Sequence, residues 1–174
     1  MTWKIVSDSS CDLRMASFHS DSIAFEIVPL RIQVGDQTFL DSDELSVPGL
    51  LSAMAAERAA SSSACPSPAS FAKAFETADR TVCITISSNL SGTYHAACIG
   101  REMVLEEHPD KQICILDSRA ASGAMALLVR RAQVLIEAAG ENGDFDEICH
   151  QLRQYQATLR TCFTLENFDN LIKN

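Results

Sequence analysis

The residues Ser87-Ser88-Asn89-Leu90-Ser91-Gly92-Thr93 join a β-branched apolar run at residues 81–86 to a helical stretch that reaches about residue 107. A helix leaves the N–H groups of its first turn unpaired, and its dipole places positive potential beside them. An anion is therefore favoured at that point. Gly92 permits close approach to the backbone, and Ser91 and Thr93 carry hydroxyl donors. Such equipment suits a carboxylate, whereas a di- or triphosphate would normally need Lys, Arg or a metal as well. The other use for these serines is to cap the helix, and the segment taken alone favours capping.

Three further polar segments hold the remaining candidates. They are residues 7–10 after the apolar run at 3–6, Asp117-Ser118 after the run at 112–116, and the serines at 61–63 between two helices. Arg119 is the one basic residue beside them. Asp8 and Asp117 each end a strand next to a serine. That leaves a metal-dependent phosphotransferase or hydrolase as the alternative function. A haloacid-dehalogenase-like aspartate would have an acid two residues on, but Ser10 stands there and the next acid is Asp12. Buried aspartates that accept loop N–H bonds account for the same pattern. Cys65, beside the serines, could be a nucleophile, but no His or other base accompanies it. The four histidines are scattered without metal-ligand spacing, and no G-x-S-x-G, G-x-x-x-x-G-K or G-x-G-x-x-G run occurs.

These segments need strands and helices to position them. Residues 24–34 read as extended, with Pro29 marking an edge or a bend because proline donates no ladder bond. Gly35-Asp36 turns the chain back into residues 38–40. Residues 46–60 read as a helix with Ser46 as cap and Pro48 in its first turn. Ser67 and Pro68 start another, with Phe71, Ala74, Phe75 and Ala78 on its apolar face. A long apolar helix covers about 121–139 and stops at Gly140. Asp144 with Glu147 starts the next, to about 156. A last strand at 159–164 and a last helix at 165–173 complete the order. Continuous apolar strands between helices predict an α/β fold: a mainly parallel sheet with helices on both faces. In such a sheet ligands bind beyond the carboxyl ends of the strands, where three of the polar segments fall.

Composition narrows the partners. The chain has 174 residues, enough for one substantial domain, and a formal net charge of −9. That charge argues against nucleic acid and anionic membrane surfaces. The seven cysteines form no C-x-x-C pair, and an odd count fits a reducing compartment. With no signal-peptide pattern and no apolar run long enough to span a bilayer, the expected location is the cytoplasm.

Ile5-Val6-Ser7-Asp8-Ser9-Ser10-Cys11-Asp12-Leu13 resembles the "V-T-D-S-T-A-D-L" opening of the DegV family. Val28-Pro29-Leu30, Asp41-Ser42-Asp43-Glu44-Leu45 and Ser63-Ala64-Cys65-Pro66-Ser67-Pro68 are similar to its next three motifs. Ile86-Ser87-Ser88-Asn89-Leu90-Ser91-Gly92-Thr93-Tyr94 matches its "I-S-S-x-L-S-G-T-Y" closely, and Leu116-Asp117-Ser118 follows in family order. The resemblance implies a non-catalytic protein that buries one long-chain fatty acid. Its tail would lie between sheet and helices, and no cofactor or metal is implied. Some family members present the acid to a fatty-acid kinase subunit. The family's carboxylate-binding threonine falls at Ser63 and its serine at Ser91. The expected ligand-binding set is Ser63, Ser91, Gly92, Thr93, Ser88, Ser9, Asp8 and Cys65. Ala64 and Cys65 replace the family's serine and glutamine. The resemblance also implies an α/β lipid-binding domain over residues 1–160. Residues 161–174 would begin a truncated second domain or a linker.

Overall fold

The computed structural model of the chain describes residues 1–14, 18–57 and 59–162. Four parallel strands form the central sheet: β1 (Trp3–Asp8), β2 (Ile23–Val28), β6 (Arg80–Thr85) and β7 (Gln112–Asp117), in the order β2-β1-β6-β7. Asp8 pairs in register with Val28, and Thr85 with Asp117. Four strand ends therefore open on one edge. Side chains alternate between the two faces. Trp3, Ile5, Val82 and Ile84 share one core with α4 (Gly123–Ala139) and α5 (Phe145–Thr158). Val6, Cys83 and Ile115 share the other with α2 (Pro68–Phe75) and α3 (Thr93–Glu107). The expected sheet covered on both faces is present.

The extended stretch at 24–34 is two strands. Pro29 ends β2 at the sheet edge, the Leu30 N–H turns to Ser9 Oγ at 3.1 Å, and the chain restarts as β3 (Arg31–Val34) in a second sheet. Gly35, at φ +55°, makes the predicted turn into β4 (Gln37–Leu40). The serines expected to link two helices as a loop instead form β5 (Ser62–Ala64), antiparallel to β3 with Ser63 opposite Ile32. An exposed edge of unpaired N–H and C=O groups on β3 is satisfied that way. The helix α1 (Val47–Ala56) stops short of residue 60 to make room for it.

Helix caps follow the residue types. Ser46, Ser67 and Asp144 each accept from a first-turn N–H of α1, α2 and α5. Glu147 does not complete a reciprocal box, because its carboxylate accepts from Gln151 at 2.7 Å. The helix expected from residue 121 begins at Gly123, since Arg119 and Ser122 hold left-handed φ values of 52° and 58°. Residues 159–162 are not a strand. The rest of that expected strand, and the helix at 165–173, lie outside the described residues. No helix among the described residues is long and apolar enough to cross a membrane.

Two buried polar atoms among the described residues work against this packing, Trp3 Nε1 and Thr81 Oγ1. Thr81 Oγ1 in β6 has no hydrogen-bond partner among the described residues. A desolvated, unpaired hydroxyl is costly, and valine has nearly the same shape. Thr81→Val is expected to stabilise the fold by about 1 kcal/mol. Chemical denaturation reads this as a raised midpoint, and a lowered one would refute it.

Candidate functional site

The loops beyond β1, β6 and β7 are tied together at the carboxyl edge of the sheet. The Ile86 N–H donates to Asp8 Oδ2 at 2.7 Å, and the Ser10 N–H to Asp8 Oδ1 at 3.0 Å. Ser10 Oγ also donates to that oxygen. Across the sheet, Ser88 donates from its N–H to Asp117 Oδ1 at 3.1 Å and from its hydroxyl to Oδ2 at 2.6 Å. The Arg119 N–H adds a bond to Asp117 Oδ1 at 3.0 Å. Backbone bonds close the set, from Ser87 to the Ala120 carbonyl at 2.9 Å and from Ser122 to the Ser10 carbonyl at 2.8 Å.

Both aspartates thus spend their oxygens on loop donors. Burial pushes the Asp8 carboxyl above its ordinary value, and the bonds from Ser10 and Ile86 pull the other way. Among the described residues no group of three His, Cys, Asp or Glu side chains could hold a metal ion. The geometry of Asp8 and Asp117 is that of loop anchors, so a metal-dependent site gains no support from them.

The expected ligand-binding residues divide by what they already touch. Asp8 and Ser88 hold the loops. Ser9 is buried, with its hydroxyl accepting from the Leu30 N–H at the chain's exit from β2. Ser91, Gly92 and Thr93 form the start of α3. Ser91 Oγ and Thr93 Oγ1 are 2.8 Å apart, and the Thr93 N–H donates to Ser91 Oγ at 3.3 Å. The cap position belongs to Gly92, which has no side chain to bond the helix end. Ser91 takes part in capping by accepting from the Thr93 N–H, the first of α3, and no cap side chain serves the N–H groups after it. The turn comes from Ser87, whose carbonyl accepts from Leu90 at 2.9 Å and Ser91 at 3.1 Å.

Cys65 comes to this helix end. Its sulfur would lie 3.5 Å from a Cβ placed on Gly92, an ordinary contact. The segment after β5 therefore meets the start of α3. Ser63 is exposed on β5, two residues before Cys65, and makes no hydrogen bond to the Ser91–Thr93 group among the described residues. The space between sheet and helices, expected to house a tail, is filled by side chains such as Phe71, Phe75, Met125 and Leu128. A cavity of about 220 Å³ opens beside the Cys65 segment, against Pro29, Arg31, Leu40, Pro66, Ser67 and Ser70.

Ser10 lies in a polar segment legible in the sequence, but its part in fastening the loops, with Ala120 and Ser122, has no signal there, because ordinary residue types carry those bonds. Gly100 was passed over, although a lone glycine inside a helix is a usable packing signal.

The family model described as "DegV family" matches residues 2–174. A DegV domain-containing protein of Streptococcus gordonii is 43% identical over 175 residues, covering 100% of this chain and 61% of that protein. The chain thus spans about three-fifths of the length of the curated relatives it matches. Among solved structures, the Streptococcus pneumoniae Fatty Acid Kinase (Fak) B3 protein loaded with linoleic acid is 39% identical, with a TM-score of 0.85 over 90% of this chain and 55% of that one. A DegV family protein of Ruminococcus gnavus, refined with vaccenic acid, is 31% identical, with a TM-score of 0.89 over 99% of this chain and 61% of that one.

Proposed function

The chain belongs to the DegV family, and from that premise we propose that it binds a single long-chain fatty acid, with the carboxylate at the start of α3. The observation that carries the reading is the open N-terminus of α3. It has a glycine at the cap, Ser91 Oγ accepting from the Thr93 N–H alone, and the Ser91 and Thr93 hydroxyls beside it. A carboxylate placed there receives N–H and O–H donors and the helix dipole without a metal or a basic side chain. Support for the ligand class comes from the two structural neighbours above, which hold C18 acids. Ser63 adds its hydroxyl from the strand that reaches Gly92 through Cys65. Asp8, Ser9 and Ser88 act indirectly, by holding the loops in place.

The tail supplies the affinity. Burying it is favourable by about 0.8 kcal/mol per methylene. Housing it between sheet and helices requires the packed side chains there to part. The carboxylate contacts fix which end of the ligand faces outward. A carrier of this kind performs no chemistry itself, and an acid held with its carboxylate at the sheet edge is presented to a fatty-acid kinase subunit. The described cysteines are all free thiols, which fits our placement of the protein in the cytoplasm.

Ser91→Ala tests the assignment. The hydroxyl bonds only within its own turn, so folding should be nearly unchanged. Loss of one hydrogen bond to a charged group costs about 1.5–3 kcal/mol, roughly a ten- to hundredfold rise in Kd. Isothermal titration with oleate measures it. Unchanged affinity in a folded Ser91→Ala protein would remove Ser91 from the site.

A further inference from the structure

The helical layers on the two faces of the sheet are joined at its carboxyl edge by one run of hydrogen bonds. Helix α5 belongs to the core on one face and α3 to the core on the other. In the last turn of α5, Gln156 Nε2 donates to the Ser118 carbonyl at 3.2 Å. That carbonyl and the Arg119 N–H belong to the same peptide unit, and the N–H donates to Asp117 Oδ1 at 3.0 Å. The unit is therefore held at both ends. Its orientation sets φ of Arg119, which at 52° lies in the left-handed region that a non-glycine residue seldom occupies. Beyond it, the Ala120 N–H donates to Ser118 Oγ at 3.1 Å, and the Ala120 carbonyl accepts from the Ser87 N–H at 2.9 Å. Ser87 closes the run, because its carbonyl accepts from the Leu90 and Ser91 N–H groups and so forms the turn that carries Ser91.

With a fatty-acid carboxylate at the start of α3 as the premise, we propose that Gln156 is a positioning residue for that site. Its bond to the Ser118 carbonyl keeps the Ser118–Arg119 peptide in the orientation that leaves the Ala120 carbonyl on Ser87 and the Ser91 hydroxyl beside the helix end. A peptide unit next to a left-handed non-glycine residue has a less strained alternative, because rotation of its plane returns φ to negative values. Gln156 opposes that rotation at the carbonyl end. Asp117 opposes it at the N–H end, with oxygens that it shares with the Ser88 N–H and hydroxyl. Loss of the carbonyl bond lets the plane turn, moves Ala120 and frees the Ser87 N–H. The turn from Ser87 to Ser91 then loses its anchor. Gln156 touches no ligand in this scheme. It sets, from the opposite face of the sheet, where the Ser91 donor stands.

Two substitutions separate the donor from the bulk of the side chain. Gln156→Met keeps the length and helix preference but removes the donor, and Gln156→Lys restores one. Titration of the intact chain with oleate is expected to give a Kd on the order of fivefold higher in Gln156→Met, most of it recovered in Gln156→Lys. In a Ser91→Ala background, Gln156→Met should cost little more, since residues that act through one another are not additive. Without ligand, the Ser87 amide should exchange its hydrogen faster in Gln156→Met, as read by NMR. Unchanged oleate affinity in Gln156→Met, beside a weakened Ser91→Ala, would overturn the proposal. So would a loss of equal size in both backgrounds. If Ser91→Ala itself leaves oleate affinity unchanged, the carboxylate assignment falls, and an unchanged Ser87 exchange rate then overturns the hydrogen-bonded link as well.

Discussion

Gly100→Ala should destabilise the protein, although glycine to alanine inside a helix ordinarily stabilises by about 1 kcal/mol. The reversal comes from the crossing of α2 on α3. A Cβ at position 100 would stand 2.7 Å from the Pro68 carbonyl oxygen, 2.9 Å from Phe71 Cβ and 3.0 Å from the Ala72 nitrogen. Two of these atoms are backbone and the third is fixed to it, so no side-chain rotation relieves the clash. The helices must separate, and overpacking of this kind costs about 1–3 kcal/mol. The strain also reaches the site. Pro68 opens α2 directly after the Cys65–Ser67 segment, and Cys65 is what meets Gly92. Separation of α2 from α3 pulls the serine strand from the helix end, so acyl affinity should fall along with stability. Urea denaturation and oleate titration of Gly100→Ala measure both. An equally or more stable Gly100→Ala variant would mean that helix spacing does not position the site.

Asp8→Ala should cost more, roughly 3 kcal/mol, because it strips a buried acceptor from three donors at once. The Ile86 N–H, the Ser10 N–H and the Ser10 hydroxyl all lose their partner. The cost should also depend on pH. Burial raises the folded-state value above the unfolded one near 3.8. Between those two values the folded chain holds more protons, so the Asp8 contribution to stability falls as pH rises through that window. The gap in stability between the native chain and Asp8→Ala should therefore be wider on the acid side of the window than at neutral pH. Parallel denaturation series at acid and neutral pH measure it. A gap that widens toward neutrality would show that hydrogen bonding, not burial, dominates the carboxylate.

The parallel sheet was readable because its strands are continuous apolar runs, such as Thr-Val-Cys-Ile-Thr, that fit only a doubly covered sheet. Ser67-Pro68 and Asp144 marked their helix starts for equally local reasons. The second sheet was harder to see. Ser62–Ala64 has no apolar or β-branched residue, and it is a strand only because β3 offers an unpaired edge. The start of α4 was misplaced because left-handed Arg119 and Ser122 have no residue preference to announce them. Around Ser91, Gly92 and Thr93 the succession of strand, polar turn and helix was legible. The division of labour was not. That Ser9, Ser88 and Asp8 hold loops depends on partners 21 to 78 residues away. The meeting of Cys65 with Gly92 likewise depends on the packing of α2 against α3.

A chain that holds one fatty acid can be weighed with its ligand. Native mass spectrometry of the purified chain, before and after addition of oleate, tests fatty-acid binding most directly. Lipid is then extracted from the same sample and identified. A single adduct per chain with the mass of a long-chain fatty acid is expected, either carried through purification or acquired from oleate, and weakened in Ser91→Ala. A folded chain that carries no fatty acid and takes up none from oleate would contradict fatty-acid binding.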